Sequence, residues 1–401
     1  MATFLEPQKE IPIYGQYDTV VVGGGFAGVA AALAAARGGN KVLLCEREYM
    51  LGGLGTAGLV TIYLPLCDGC GHQVSFGIAE ELLKLSIQNG YEAEYPKAWL
   101  ENGSFEEKCG KRYRVRYNAA MCAILYEKKL IEEGVDLLYG TVVCGTSVND
   151  GCITHLIIEN KSGRSAIEAG NVIDCSGDAD VCWQAGEYIK LYGKKNILAG
   201  WYYYCDDGKF ALQMVGAADV PMDEKKRLDM ERVVGTKRYY GLGGKELTEQ
   251  MMDSHDATYR HFLRKGMLND NHAIATMASI PQVRMTRGLD SGFAMDVSHD
   301  KAYFEDSVGL FPNWKKRGPI YELPYSILHG RKIHNLAVAG RALSATDEMW
   351  DVMRVIPVCA VTGEAVGTAA AIKKNFDEVD VLVLQQKLRD KGVKIHVNEV
   401  L

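Results

Sequence analysis

The residues best suited to do chemistry near the start of this chain are glycines. Gly23-x-Gly25-x-x-Gly28 follows directly on Thr19–Val22, four β-forming residues, and opens onto Phe26–Arg37, an alanine-rich run of helical texture. Gly23 permits a tight turn, Gly25 lets the backbone approach a pyrophosphate, and Gly28 lets helix and strand pack closely. The unpaired N–H groups at a helix start, with the helix dipole, favour an anion there. Gly38 and Gly39 end the helix, Lys41–Cys45 returns as a strand, and Glu46 closes it, placed to accept hydrogen bonds from a ribose. Strand, glycine turn, helix, strand and acid in this order are the context in which the glycine fingerprint means dinucleotide binding.

Fewer residues offer themselves for work on a substrate. Arg284 and Arg287 lie three apart in Ile280–Gly288, a β-like stretch led by Pro281. Two guanidiniums can hold a substrate carboxylate or assist a proton transfer, and they can equally be salt bridges between domains. His255, His299 and His329 are candidate acids or bases, each also readable as an ordinary surface or structural histidine. Cys67 and Cys70 have the CxxC spacing of a redox dithiol or half a metal site. No second CxxC or matching histidine pair accompanies them, so no metal is expected and two ordinary cysteines are the simpler reading. Trp201–Tyr204 serves either as a core strand or as an aromatic platform for substrate.

The elements that must position these groups are written in the hydrophobic pattern. Ile78–Gln88 and Ala119–Glu133 carry apolar residues three and four apart and are expected as helices, with a strand at Arg112–Tyr117. Between Val135 and Asp174 come the short β-rich runs VDLLY, TVVCGTSV, CITHLIIE, SAIEA and NVIDC, and three or four of them, parted by turn signals such as Asn149-Asp150-Gly151 and Lys161-Ser162-Gly163, predict an antiparallel meander. From Tyr188 to Leu328 the chain is richer in Tyr, Met and charge, with a polar helix expected over Leu247–Lys265. The α/β texture returns with a strand at Asn335–Ala339, a turn at Gly340-Arg341 and a helix at Pro357–Lys374. Gly241-Leu242-Gly243-Gly244 follows no convincing strand and lacks a following acid, so a second nucleotide site is not expected.

Three separated segments resemble the FAD-dependent oxidoreductases of the glutathione-reductase-like superfamily, and within it a branch distantly related to fumarate reductase flavoproteins. GGGFAGVAAALAAARGG with Glu46-Arg47, followed by the loop Gly52-Gly53-Leu54-Gly55-Thr56-Ala57-Gly58, is similar to the fingerprint and double-glycine loop of those proteins. VIDCSGDAD (Val172–Asp180) is similar to the strand and turn that re-enter their FAD domain. NLAVAGRALSATDEMWDVMRVIPVCAVTGEAVGTAAA, from Asn335, is similar to their C-terminal flavin-binding strand and helix. The resemblance implies FAD contacts at Gly23, Gly25, Ala27, Gly28, Glu46, Arg47, Gly53, Leu54 and Thr56, with further contacts near Val143 and Gly177. It places flavin-side contacts at Gly340, Arg341, Arg354 and the helix start at Pro357, whose dipole would stabilise negative charge on the flavin. Many members carry an acid after the glycine matching Gly340; Arg341 stands here and could meet the pyrophosphate instead. His72 lies well past the position of the family's covalent flavin anchor, and the dithiol and second fingerprint of the disulfide reductases are missing.

The expected fold is α/β: a Rossmann-like FAD-binding domain, built on a parallel sheet plus an antiparallel β-meander, with an inserted α+β substrate domain. Residues 1–85, 112–190 and 329–401 are assigned to the first, and 86–111 and 191–328 to the second. The implied activity is hydride transfer between a small organic substrate and flavin N5, with Arg287, Arg284 and His255 as candidate catalytic residues. An electron-transfer flavoprotein subunit that needs a partner, and an NAD-dependent dehydrogenase using the single nucleotide site, remain as alternatives.

Composition narrows the partners. The 401 residues carry 45 Lys+Arg against 51 Asp+Glu, a net charge of −6 that is poorly suited to nucleic-acid binding by counterion release. The eleven cysteines are an odd number scattered through a long chain, which is not a secreted disulfide framework. The N-terminus lacks a basic stretch followed by an apolar run, and the apolar stretch Phe26–Ala36 is too short to span a bilayer. A cytoplasmic protein with a small-molecule substrate is expected, with no nucleic acid and no membrane; a redox partner protein and a homo-oligomer stay open.

Overall fold

Thr19–Val22 is the end of a longer strand, Ile13–Val22, in the computed structural model, which describes residues 3–88, 96–109, 113–216, 237–264 and 271–401. This strand runs parallel to Val42–Cys45 on one side and, over its whole length, to Gly163–Asp174 on the other. Asp136–Leu138 extends the sheet beyond Val42–Cys45, and Leu336–Val338 lies parallel to the last residues of Gly163–Asp174. The first half of Gly163–Asp174 pairs instead with Cys152–Asn160, which is antiparallel to Val142–Asn149. Parallel sheet and meander are therefore one seven-stranded sheet that forks along a single strand.

That forking strand joins SAIEA and NVID, two separate runs in the sequence pattern, into one element. It continues through Gly170, where a Cβ would stand 2.5 Å from the Asp18 carbonyl oxygen. The glycine marks a close approach of two strands, not a turn. Val20, Val21, Leu43, Leu44, Val172 and Ile173 are all buried, as expected of a parallel sheet covered on both faces.

Two helices rich in small residues pack against each other at the heart of this unit. Phe26–Arg37 meets Ile356–Ala370 so closely that a Cβ on Gly363 or Gly367 would lie 2.3 or 2.2 Å from the carbonyl oxygens of Ala27 and Ala31. Their near-uniform apolarity follows from burial on every side. The second of them follows Asp347–Met353 at a bend of 88°, and no single helix among the described residues is long and apolar enough to cross a membrane.

The insert has a smaller core of its own, formed by Leu198, Tyr202, Val215, Tyr239, Ala257 and Phe262. Its sheet is Ala199–Asp206 flanked by Lys209–Gly216 and His272–Met277, all antiparallel. Alternation along the aromatic run sends Tyr202 into this core, where its hydroxyl meets His261 Nδ1 at 2.8 Å, and sends Tyr203 across to Thr61 at 2.7 Å. The polar helix begins three residues earlier than expected and spans Gly244–Arg264; Lys265 lies outside the described residues. Met295, Val308, Phe311, Tyr321 and Leu323, in a stretch expected with the substrate domain, belong to the same buried cluster as Val21 and Val361. The hairpin Ser307–Pro312 with Ile320–Pro324 is buried throughout, and a Cβ on Gly309 would meet Val361 at 2.6 Å.

Candidate functional site

The C-terminal ends of Ile13–Val22, Val42–Cys45, Gly163–Asp174 and Leu336–Val338 meet at a cleft of about 630 Å³. This is the edge at which open α/β sheets bind ligands. The three fingerprint glycines do different work there. Gly23 has φ +100° and would place a Cβ 2.5 Å from the Cys175 carbonyl oxygen; Gly28 would place one 1.8 Å from the Gly23 carbonyl oxygen. A Cβ on Gly25 would meet nothing within 4 Å, because Gly25 faces the open cleft. Gly25 is also the N-cap of Phe26–Arg37 and supplies no side-chain cap, which leaves the first N–H groups of that helix for a ligand.

Glu46 lies buried beside them. Its Oε2 accepts the Gly24 N–H at 2.6 Å and its Oε1 the Glu48 N–H at 2.8 Å. Burial pushes its carboxyl up, and these two N–H groups oppose that shift. Each carboxylate oxygen retains acceptor capacity for a ribose hydroxyl. Ala27, Arg47, Gly53, Leu54 and Val143 also line the cleft, with Arg47 exposed. Thr56 does not line it; its buried hydroxyl is bonded to the Leu51 carbonyl and holds the double-glycine loop together.

The turn after Gly163–Asp174 is organised by the buried Asp174. Its Oδ1 accepts from Ser176 N at 3.0 Å, and its Oδ2 accepts from Val181 N at 2.9 Å and Cys182 N at 3.0 Å. Gly177, at φ +84°, leaves room for the Arg341 guanidinium, whose Cζ would stand 2.9 Å from a Cβ there. Arg341 Nε donates to the Gly177 carbonyl at 2.8 Å and Nη2 to Asp178 Oδ1 at 2.7 Å. Gly340 and Arg341 line the cleft, as does Arg354, whose Nε donates to Asp351 at 2.8 Å. Pro357 is buried within the first turn of Ile356–Ala370, and it is Ile356 and Cys359 of that turn that face the cleft. This helix start too has no side-chain cap. Burial pushes the Cys359 thiol up to about 12, against the charges of Arg341 and Arg354.

The insert closes the opposite wall with Leu247, Met251, Ile280, Pro281 and Val283. Ser279 N donates to the Ala57 carbonyl at 2.9 Å and Gln282 Nε2 bonds the Gly58 carbonyl, so this wall is tied directly to the double-glycine loop. Of the residues singled out for catalysis, none lines the cleft. Arg287 stands behind it: its Nε donates to the Asp178 carbonyl at 2.9 Å, its Nη2 pairs with Asp180, and its guanidinium lies 5.1 Å over the Trp183 ring. Arg284 is buried, with its backbone N–H on Asn196 Oδ1 at 3.0 Å. His255 is exposed on the helix Gly244–Arg264, because the apolar side of that helix carries Ala257 and Phe262 into the insert's core. His299 Nδ1 accepts the Asp296 N–H at 3.2 Å in a capping box, and burial holds the His329 imidazole below its usual range.

Two acids missing from the sequence-based site do line the cleft: Asp178 and Asp180. Burial, helped by the charges of Asp178 and Asp174, holds the Asp180 carboxyl up to about 6, with Arg287 opposing. The signal was present, since SGDAD sets both acids immediately after the turn glycine.

The model of the family described as FAD dependent oxidoreductase matches residues 18–276 and 290–388. The thioredoxin reductase of Ureaplasma parvum serovar 3 is 34% identical over 77 residues, a match that takes in 19% of this chain and 25% of that protein. The chain is thus matched to about a quarter of that relative's length. A geranylgeranyl bacteriochlorophyll reductase-like protein from Thermoplasma acidophilum is similar in structure, at 14% identity and a TM-score of 0.49 over 94% of this chain and 83% of that one. The p-nitrophenol 4-monooxygenase of Pseudomonas putida DLL-E4 gives 13% identity and a TM-score of 0.48 over 94% and 84%.

Proposed function

Since this chain belongs to the FAD dependent oxidoreductase family, we propose that FAD lies in the cleft at the strand ends and that the enzyme passes a hydride between a small organic substrate and flavin N5. The observation that carries the placement is Gly25, which faces open space at an uncapped helix start with the buried Glu46 beside it. FAD, when bound, supplies the two-electron chemistry; the protein supplies position, charge and exclusion of water. The Phe26–Arg37 helix start would hold the pyrophosphate and Glu46 the ribose. Arg341, anchored on Gly177 and Asp178, would neutralise phosphate charge. The uncapped start of Ile356–Ala370 lies at the same cleft and would favour negative charge at the reacting end. Leu247, Met251, Ile280, Pro281 and Val283 would keep water out.

We further place the chain in the glutathione-reductase-like superfamily, near the fumarate reductase flavoproteins, on the three segments that resemble them. Residues 1–85, 112–190 and 329–401 are assigned to FAD binding and 86–111 and 191–328 to the substrate side, with 295–328 packed into the first core. A cytoplasmic setting is part of the same reading.

Two steps test it. The purified protein is denatured and the released cofactor identified; FAD supports the placement, and a colourless protein that releases only NAD overturns it. An anaerobic visible spectrum before and after adding NADH or NADPH then reads the direction. Bleaching of the flavin bands means a reductase fed by nicotinamide. Persisting bands mean a dehydrogenase reduced by its own substrate, or a subunit awaiting a redox partner.

A further inference from the structure

The CxxC of the sequence is not the pair that the fold brings together. Cys67 is fully buried and stands opposite Gln73 in a β-bridge, whereas Cys70 stands opposite Cys109 in an antiparallel bridge of its own. Residues directly opposed in this way have Cα atoms about 4.5–5.5 Å apart and side chains on the same face. That separation falls inside the Cα range of about 4.4–6.8 Å that a disulfide requires.

Both cysteines are held in this register by their neighbours. The Asp68 carboxylate accepts from Cys70 N at 2.7 Å, from His72 N at 3.1 Å and meets His72 Nδ1 at 2.9 Å, folding the 68–72 loop around itself. Arg317 Nε donates to the Gly69 carbonyl at 3.0 Å and fixes the loop to the core hairpin. On the other side, Cys109 N donates to the Phe105 carbonyl at 2.8 Å at the end of the helix Phe105–Lys108. The two pieces interlock: a Cβ on Gly71 would lie 2.4 Å from the Phe105 ring, and the His72 and Phe105 rings are 5.8 Å apart. Cys109 is exposed and Cys70 partly buried, so Cys109 is the more open of the two residues to solvent.

We propose that Cys70 and Cys109 are a reversible dithiol–disulfide pair, oxidised by low-molecular-weight disulfides of the glutathione class. The Cys109 thiolate attacks one sulfur of the small disulfide, forming a mixed disulfide and releasing the first small thiolate. The Cys70 thiolate then attacks the Cys109 sulfur, forming the Cys70–Cys109 bond and releasing the second. The protein gives up two electrons and two protons, and the small disulfide becomes two thiols. The product ties the Phe105–Lys108 helix covalently to the loop anchored by Arg317. This site is separate from the flavin cleft, which neither cysteine lines.

The test incubates the full-length protein with glutathione disulfide, quenches it in acid, alkylates the remaining thiols and maps the unreduced peptides by mass. The expected result is a cross-linked peptide pair joining Cys70 to Cys109, reversed by dithiothreitol, with FAD content unchanged. In Cys70→Ser the reaction should stop at a glutathione adduct on Cys109, and Cys67→Ser should still form the cross-link. A Cys67–Cys70 cross-link, a lasting adduct on Cys109 in the wild type, or full alkylation of both cysteines would each overturn the proposal. The wild-type map decides even where a variant folds poorly.

Discussion

Arg341 donates to Asp178 Oδ1 at 2.7 Å, and the same oxygen takes the Thr286 hydroxyl at 2.6 Å. One carboxylate oxygen thereby joins the strand-end turn at Gly177, the C-terminal turn at Gly340-Arg341 and the stretch that carries Thr286. It also leaves Arg341 fixed at the cleft wall before any ligand arrives, so that little is lost in ordering it on binding.

Arg341→Ala should therefore weaken FAD binding. A hydrogen bond to a charged group contributes about 1.5–3 kcal/mol, which corresponds to roughly a tenfold to hundredfold rise in Kd. Titration of apoprotein with FAD, followed by flavin fluorescence, measures it. An unchanged Kd would take Arg341 away from the phosphates.

Gly25→Ala and Gly28→Ala separate cradle from packing. The Gly25 Cβ meets nothing in the protein, so this variant should fold with an unchanged melting temperature and lose FAD. The Gly28 Cβ would sit 1.8 Å from a backbone oxygen, so that variant should melt several degrees lower whether or not FAD is present. Melting curves with and without added FAD distinguish the two, and equal destabilisation would remove the special role of Gly25.

Arg287→Ala should cut the rate of flavin reduction by the competent donor at least about tenfold while the flavin-to-protein ratio stays constant, the scale of one charge-assisted contact. The geometry supplies a route: without Arg287, the carboxyl of Asp180 on the cleft wall loses the larger of two opposing positive charges, Arg47 supplying the other. The pH dependence of the reduction rate should then shift upward. A rate and pH profile matching the wild type would reduce Arg287 to a structural ion pair.

The case of Arg287 also shows how far the sequence could be read. The fingerprint was legible because Gly23, Gly25, Gly28 and Glu46 act within one continuous βαβ unit, where spacing dictates geometry. Arg287 finds its partners 109 and 107 residues away, and no local pattern reports which acids it meets. At Gly170, between the runs SAIEA and NVIDC, the constraint is not local either, since its backbone approach to Asp18 is a property of the neighbouring strand. The spacing in the sequence links Cys70 to Cys67, whereas the fold sets it against Cys109.

Glu364 carries the clearest pH dependence. It lies 3% exposed in the helix Ile356–Ala370, and its Oε2 accepts the Ile78 N–H at 2.8 Å, capping the helix Ile78–Ile87 from outside. A side chain at Gly77 would collide with it, a Cβ there standing 2.3 Å from Oε2. Burial pushes its carboxyl up to about 7, with the Ile78 N–H and the Lys391 charge opposing. In the unfolded chain the same group titrates near about 4.3. The folded state therefore binds the extra proton between these values. Its contribution to stability is fully present below about pH 4 and is lost as pH rises through about 7. Between pH 5 and pH 8 the loss should be on the order of 2 kcal/mol, at about 1.4 kcal/mol per pH unit. Glu364→Gln keeps an oxygen for the Ile78 N–H but cannot ionise, so it should gain on the wild type as pH rises. Urea midpoints of both proteins at pH 5 and pH 8 measure the difference. Parallel profiles would mean that Glu364 ionises freely in place and that Lys391 or solvent carries its charge.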